Sequence, residues 1–215
     1  MTRTRSRIRG ESVKAKTGRD WEEWFSLLDD WGADSKGHAP AARHLEEAYD
    51  LSGWWAQTVT VEYERARGLR EVGQQGDAFV ARVQRTVRVP AETAYAALTV
   101  PDQLSRWFTE DAHADLRIGG RYENRDGDQG EFLRLDPPGR IKYTWENPDH
   151  APGTMVEIWI EPKEEAKSLI RLEHSRLRNQ AEYEDLKQGW RWALDSLRSY
   201  LETGRSIPYE EWARG

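Results

Sequence analysis

Between Ala181 and Gly204 the stretch AEYEDLKQGWRWALDSLRSYLETG carries the longest uninterrupted helical pattern in the chain. Tyr183, Leu186, Trp190, Ala193, Leu194, Leu197 and Leu201 recur at intervals of three and four. They therefore line one side of a helix and leave the other to Glu, Asp, Lys, Arg and Ser. An apolar stripe of that length has to be covered, and most of what precedes it reads as short alternating strands. The economical architecture is a C-terminal helix laid across a sheet, with any bound molecule held between the two.

Such a core must come from few residues. The 215-residue chain is 33% charged with a mean hydropathy of −0.91, yet it holds 11 Trp, 8 Tyr and 4 Phe. Each buried aromatic removes roughly 150 to 250 Å² from water, on the order of 4 to 6 kcal/mol of gross burial energy as an upper bound. The aromatics are expected to carry the interior. The absence of cysteine excludes a disulfide framework, cysteine metal sites and a thiol nucleophile. With no bilayer-length apolar run and no secretory leader, a soluble cytoplasmic protein is expected.

Charge is distributed unevenly. Residues 1–16 hold six Lys or Arg against one acidic residue, and read as a basic disordered leader. Residues 17–70 hold six basic and eleven acidic side chains in a helical pattern throughout. Asp20 and Glu23 form a capping-box signature, Trp21, Trp24, Phe25, Leu28 and Trp31 share a face, and Gly32 closes the segment. A second helix is predicted from Pro40, and a third follows Ser52 through GWWAQTVTVEYERARG. A DNA-reading helix should present Arg, Lys, Asn or Gln near its start, whereas the third helix starts with two tryptophans in an acidic domain. The reading is a three-helix domain over 17–70 in which packing explains the tryptophans better than DNA recognition does; salt-dependent DNA binding that needs residues 1–16 is the weaker alternative.

Glu71 to Asp77 reads as the domain boundary. Beyond it Phe79, Ala81, Val83, Val87 and Val89 alternate with polar residues as in a half-buried strand. Two short helices are predicted over Pro90–Leu98 and Pro101–Phe108. Strands follow over Gly119–Asn124, Gly130–Asp136, Arg140–Glu146, Thr154–Glu161 and Lys167–Ser175, joined by Asp126-Gly127 and Pro137-Pro138-Gly139 turns.

The segments VRVPAETAYAALTVPDQLSRWF, DLRIGGRYE, GEFLRLDPPGRIKYTWE, LEHSRL and GWRWALDSLRSYLE, in that order, resemble the helix-grip fold of the SRPBCC or START-like superfamily. The similarity is to its branch related to the activator of heat-shock-protein ATPase, and DWEEWFSLLDDWG through GWWAQTVTVEYERARGLR resembles a small helical domain of unknown function. The resemblance implies an α+β fold: a curved antiparallel sheet gripping the C-terminal helix over residues 77–204, after a small all-α domain and before a tail at 205–215. It also implies an apolar cavity with the two short helices at its mouth. Superfamily members bind lipids, hormones or polyketides, some catalyse cyclisation or hydration, and the related branch includes co-chaperones.

Strand parity nominates the residues facing such a cavity. Ile158 shares a face with Val156 and Ile160, His174 with Ile170 and Leu172, and Tyr143 and Trp145 with Ile141. With Trp107 and Phe108 at the mouth, Tyr122 on a nearby strand, and Trp190 and Leu194 on the helix, these residues are the candidate ligand contacts. The pocket they define suits a flat hydrophobic or aromatic molecule; the same side chains would equally fill a solid core. His174 is the one candidate acid or base, and a histidine bonded to nearby backbone is the plainer reading. Glu157, Arg171 and Glu173 fall on the outward parity. No zinc spacing, phosphate loop or nucleophile elbow is present, so neither metal nor cofactor is expected. Trp192 lies about 200° around the helix from Trp190, and is expected to meet the helical domain or a second subunit; Tyr209 and Trp212 are expected to dock the tail on the body. The expected function is binding of a small hydrophobic or aromatic ligand. The alternatives are a cyclase or hydratase and a co-chaperone or interaction module, with a protein partner or homodimer.

Overall fold

The computed structural model describes residues 8–70, 74–75 and 78–215. Contacts divide the chain into two compact units, Met1–Val72 and Gly73–Gly215. The expected boundary at Glu71–Asp77 lies largely outside the described residues.

The first unit is all helical: α1 (Gly10–Thr17), α2 (Trp21–Trp31), the single turn α3 (Ala33–Lys36), α4 (His38–Tyr49) and α5 (Gly53–Ala66). The Asp20 carboxylate accepts the Glu23 amide at 3.0 Å and the Glu23 carboxylate accepts the Asp20 amide at 2.8 Å, so the capping box forms. Gly32, at φ 76°, ends α2. Val13, Trp24, Leu28, Leu45, Val59 and Tyr63 close the core. The leader expectation needs correction, because its second half is α1. Val13 is fully buried, and the Trp24 indole donates to Thr17 Oγ1 at 2.8 Å and the Trp21 indole to the Ile8 carbonyl at 3.2 Å. Two apolar residues, Val13 in the helix and Ile8 just before it, and two indole bonds dock a segment whose composition reads as solvated. Residues 1–7 lie outside the described residues.

The second unit runs β1 (Gln74–Gln75), β2 (Ala78–Val87), α6 (Ala91–Thr99), α7 (Pro101–Trp107), β3 (His113–Ala114), β4 (Arg121–Glu123), β5 (Gln129–Asp136), β6 (Arg140–Trp145), β7 (Thr154–Glu164), β8 (Lys167–Leu177), α8 (Gln180–Thr203) and the short α9 (Tyr209–Trp212). The strands form one antiparallel sheet in the order β1-β2-β8-β7-β6-β5-β4-β3. Its inward rows, including Val156, Ile158, Ile160, Ile170, Leu172 and Ile141, bury against Tyr183, Leu186, Trp190, Ala193, Leu194 and Leu197 of α8. This is the helix-grip arrangement.

Three local features set the geometry. Pairing passes from Phe79↔Leu177 to Ala81↔His174, so β8 carries one extra residue; Arg176 takes it up at φ 66°. The bulge lets His174 and Leu177 both face inward although they are an odd number of residues apart. Asn179 caps α8 by accepting the Glu182 amide at 3.0 Å, and the buried Glu182 carboxylate accepts the amides of Ala151 at 2.7 Å and Arg178 at 2.6 Å. At Gly189, in the interior of α8, a Cβ would meet nothing within 4 Å.

Candidate functional site

The candidate residues fall into three neighbourhoods. The first joins the sheet to α8. The Trp190 indole can only donate, so its 2.9 Å bond to His174 makes Nδ1 the acceptor and leaves the imidazole proton on Nε2. Nε2 donates to Thr154 Oγ1 at 2.8 Å, and the threonine hydroxyl donates to the Trp145 carbonyl at 2.8 Å. Every polar atom in this chain is thereby paired. The His174 ring also meets Trp145 at 4.9 Å and Trp190 at 5.9 Å between centroids. Burial, aided by nearby His150, lowers its pKa to about 3. His174 is thus held neutral with both nitrogens engaged, and its partners are the side chains of Trp190 and Thr154 rather than nearby backbone. Ile158 and Leu194 are buried in the same core.

The second neighbourhood is aromatic and lies on β4, β5 and β6. Tyr122 meets Phe132 at 5.9 Å and Tyr143 at 5.0 Å, and Phe132 meets Tyr143 at 6.1 Å. Tyr122 pairs across the strands with Gly130, where a Cβ would come within 2.7 Å of the tyrosine ring and 1.8 Å of the Thr144 carbonyl oxygen. The glycine is the seat of the ring. Burial pushes both phenols above their ordinary value. The Tyr122 hydroxyl is buried and, among the described residues, has no hydrogen-bond partner. An unpaired buried hydroxyl is costly, on the order of 1 to 3 kcal/mol.

The third neighbourhood is the end of α7. Trp107 is buried and its indole donates to the Ala97 carbonyl at 2.8 Å. Phe108 stacks on Trp190 at 5.9 Å and on Trp192 at 6.1 Å. A cleft of about 580 Å³ opens here, lined by Trp107, Phe108, Thr109, Trp192, Ile207 and Pro208 among others. Trp107 and Phe108 thus both line this surface cleft. The structure places Trp192 against the chain's own C-terminal segment, with its indole donating to the Ile207 carbonyl at 2.7 Å and its ring meeting Tyr209 at 5.6 Å. The chain's own tail, a neighbour the sequence did not nominate for Trp192, is what its ring and indole meet. Tyr209 and Trp212 do dock.

Four contributors escape the sequence. Thr154 and Gly130 sit at strand positions with no distinguishing pattern. Arg85 occupies the inward row of β2 and reaches Asp195 of α8 at 2.7 and 3.0 Å; a charge at inward parity was the available signal. Ser196 is fully buried and bonds the Trp107 carbonyl at 2.9 Å. Among the described residues no group of three or more His, Asp or Glu could hold a metal ion, and no helix is long and apolar enough to cross a membrane.

Known proteins show the same arrangement. Among solved structures, CalU16 from Micromonospora echinospora is 26% identical, with a TM-score of 0.53 over 59% of this chain and 78% of that one. DynU16, from the dynemicin biosynthetic locus, is 26% identical, with a TM-score of 0.53 over 61% of this chain and 49% of that one. The Aha1 dimer from Colwellia psychrerythraea, at 22% identity, shares the fold, with a TM-score of 0.54 over 59% and 98% of the two chains. No curated protein matches. Residues 9–65 match a domain of unknown function (DUF4287). Residues 88–202, more than half of the chain, match the family described as activator of Hsp90 ATPase homolog 1-like protein. The chain belongs to that family.

Proposed function

We propose that the second unit binds a small, flat hydrophobic or aromatic molecule between the sheet and α8. The observation that carries this reading is the Tyr122 hydroxyl, a buried donor without a partner at the centre of an aromatic group. A fold that buries a phenol at this cost gains it back when a ligand supplies an acceptor. Tyr122, Tyr143, Trp107 and Phe108 are the contacts in this reading, and Trp145, Ile158, His174, Trp190 and Leu194 form the floor beneath them. Similarity to a protein of a biosynthetic locus supports a small-molecule role. With His174 fully bonded, no acid or base is assigned and no reaction is proposed.

Native mass spectrometry of the full chain against aromatic metabolites tests the reading. Among ligands that bind, Tyr122→Phe should weaken those carrying an acceptor by about fivefold, the worth of one hydrogen bond, and spare pure hydrocarbons. Equal affinities for both classes in the variant would remove Tyr122 from the site.

A second reading, a protein-interaction module, is supported by the family's description and by the exposed Leu116, Ile118 and Leu133. Stimulation of a heat-shock ATPase that survives Tyr122→Phe and is lost with Ile118→Asp would favour it.

A further inference from the structure

After Gly204 turns the chain at φ 77°, residues 205–215 run back along α8 and are held there by specific bonds. Both main-chain groups of Ile207 are taken by helix side chains. Its carbonyl accepts the Trp192 indole at 2.7 Å, and its amide donates to the buried Ser196 hydroxyl at 3.1 Å. Ser196 Oγ in turn donates to the Trp107 carbonyl at 2.9 Å, so one hydroxyl ties the tail to the end of α7. Beyond Ile207, the Gln188 amide donates to Tyr209 Oη at 3.0 Å and the Trp212 indole to Asp195 at 3.0 Å. The tail thus forms one wall of the cleft at Phe108.

Ring contacts connect this wall to the interior. Trp145 meets His174 at 4.9 Å, His174 meets Trp190 at 5.9 Å, and Trp190 meets Phe108 at 5.9 Å. The row continues from Phe108 to Trp192 at 6.1 Å, to Tyr209 at 5.6 Å and to Trp212 at 6.2 Å. Phe108 is the link at which the row leaves the core. It follows the last residue of α7 and is only partly buried, so it is the ring whose rotation would uncover Trp190. Its outer neighbour is Trp192, which is bonded to the Ile207 carbonyl and met edge-on by Tyr209.

From this geometry we infer that Ser206–Trp212 is a latch. Docked, it fixes Trp192 and Phe108 and closes the way to the interior; released, it lets Phe108 turn and admits a flat apolar ligand. The inference rests on the ligand-binding reading above and adds to it where the ligand enters and what controls entry.

The test compares the full chain with its Tyr209→Ala/Trp212→Ala variant, in which the bonds to Gln188 and Asp195 are lost and no residue assigned to the ligand site is changed. Amide hydrogen exchange at Ile207 reports the latch without any ligand, and stopped-flow binding of 1-anilinonaphthalene-8-sulfonate reports entry. The variant should exchange Ile207 faster, and probe entry and exit should both quicken by about tenfold at unchanged affinity, since a gate alters rates and not the bound state. Faster exchange with unchanged probe rates overturns the latch and leaves the ligand-binding reading standing. Unchanged exchange at Ile207 overturns the latch too, because the tail is then held by other means. Failure of either protein to bind the probe overturns the binding reading and the latch with it.

Discussion

His174 shows how one residue can look functional for a structural reason. It is a titratable group at inward parity near a strand end, which is the description of an acid or base; it is also the central member of a bond chain running from α8 through β8 to the start of β7. The depressed pKa sets a testable sign. Folded, the ring resists protonation down to about 3, while unfolded it takes a proton near its ordinary value of 6.5. Between these values the unfolded chain binds the extra proton, so stability falls as pH drops below 6.5 and is insensitive to this group above it. At pH 5 the loss from His174 should be about 2 kcal/mol. Urea midpoints at pH 7 and pH 5 for the native chain and His174→Gln measure it. The glutamine keeps one donor and one acceptor but cannot titrate, so the pH-dependent difference between the two proteins should equal that loss. Parallel midpoint shifts would show that His174 is not the buried neutral group described. Sequence parity placed this ring on the correct face. It could not reveal the tautomer, because Thr154 and Trp190 are remote in sequence and only the fold brings them to its two nitrogens.

At the scale of elements, alternation and helical spacing were legible wherever an element is regular. β7 alternates as read, and so does β8 up to its bulge. The stripe of α8 is the buried stripe, and Asn179 and Gly204 cap its two ends. Reading failed where regularity breaks. Counting by two along β8 misassigns Leu177 because Arg176 is the inserted residue, and nothing local marks it. Gly130 and Gly189 make the same point from opposite directions. Both were visible as glycines, but only contacts tell which one matters. Gly130→Ala would drive a Cβ into the Thr144 carbonyl oxygen and the Tyr122 ring, separating β5 from its neighbours, and should cost about 3 kcal/mol. Gly189→Ala meets open space and removes a helix-interior glycine, so it should stabilise α8 by about 0.8 kcal/mol. Thermal unfolding of the two variants separates the cases, and destabilisation by Gly189→Ala would mean that α8 has a neighbour at that face.

For the molecule as a whole, composition indicated where chemistry changes from helical to alternating but misjudged where order begins. Residues 8–16 read as solvated because Ile8 and Val13 are too little to register as a pattern; the two dock together with indole bonds supplied by α2. The fully buried side chains belong to two separate sets. Val13, Trp24, Leu28, Leu45 and Val59 close one core, and Ile141, Val156, Ile170, Leu194 and Leu197 belong to the other, with no buried residue common to both. Two such cores should lose protection independently. Leu45→Ala removes a fully buried side chain from the first and should cost about 2 to 5 kcal/mol there. Hydrogen exchange resolved by segment should then show faster exchange across α1 to α5, while β7, β8 and α8 keep their native protection and the His174-dependent fall in stability below pH 6.5 is unchanged. Loss of protection spreading equally into β7 and β8 would show instead that the chain folds as one cooperative body, in which the helical unit supports the grip rather than merely preceding it.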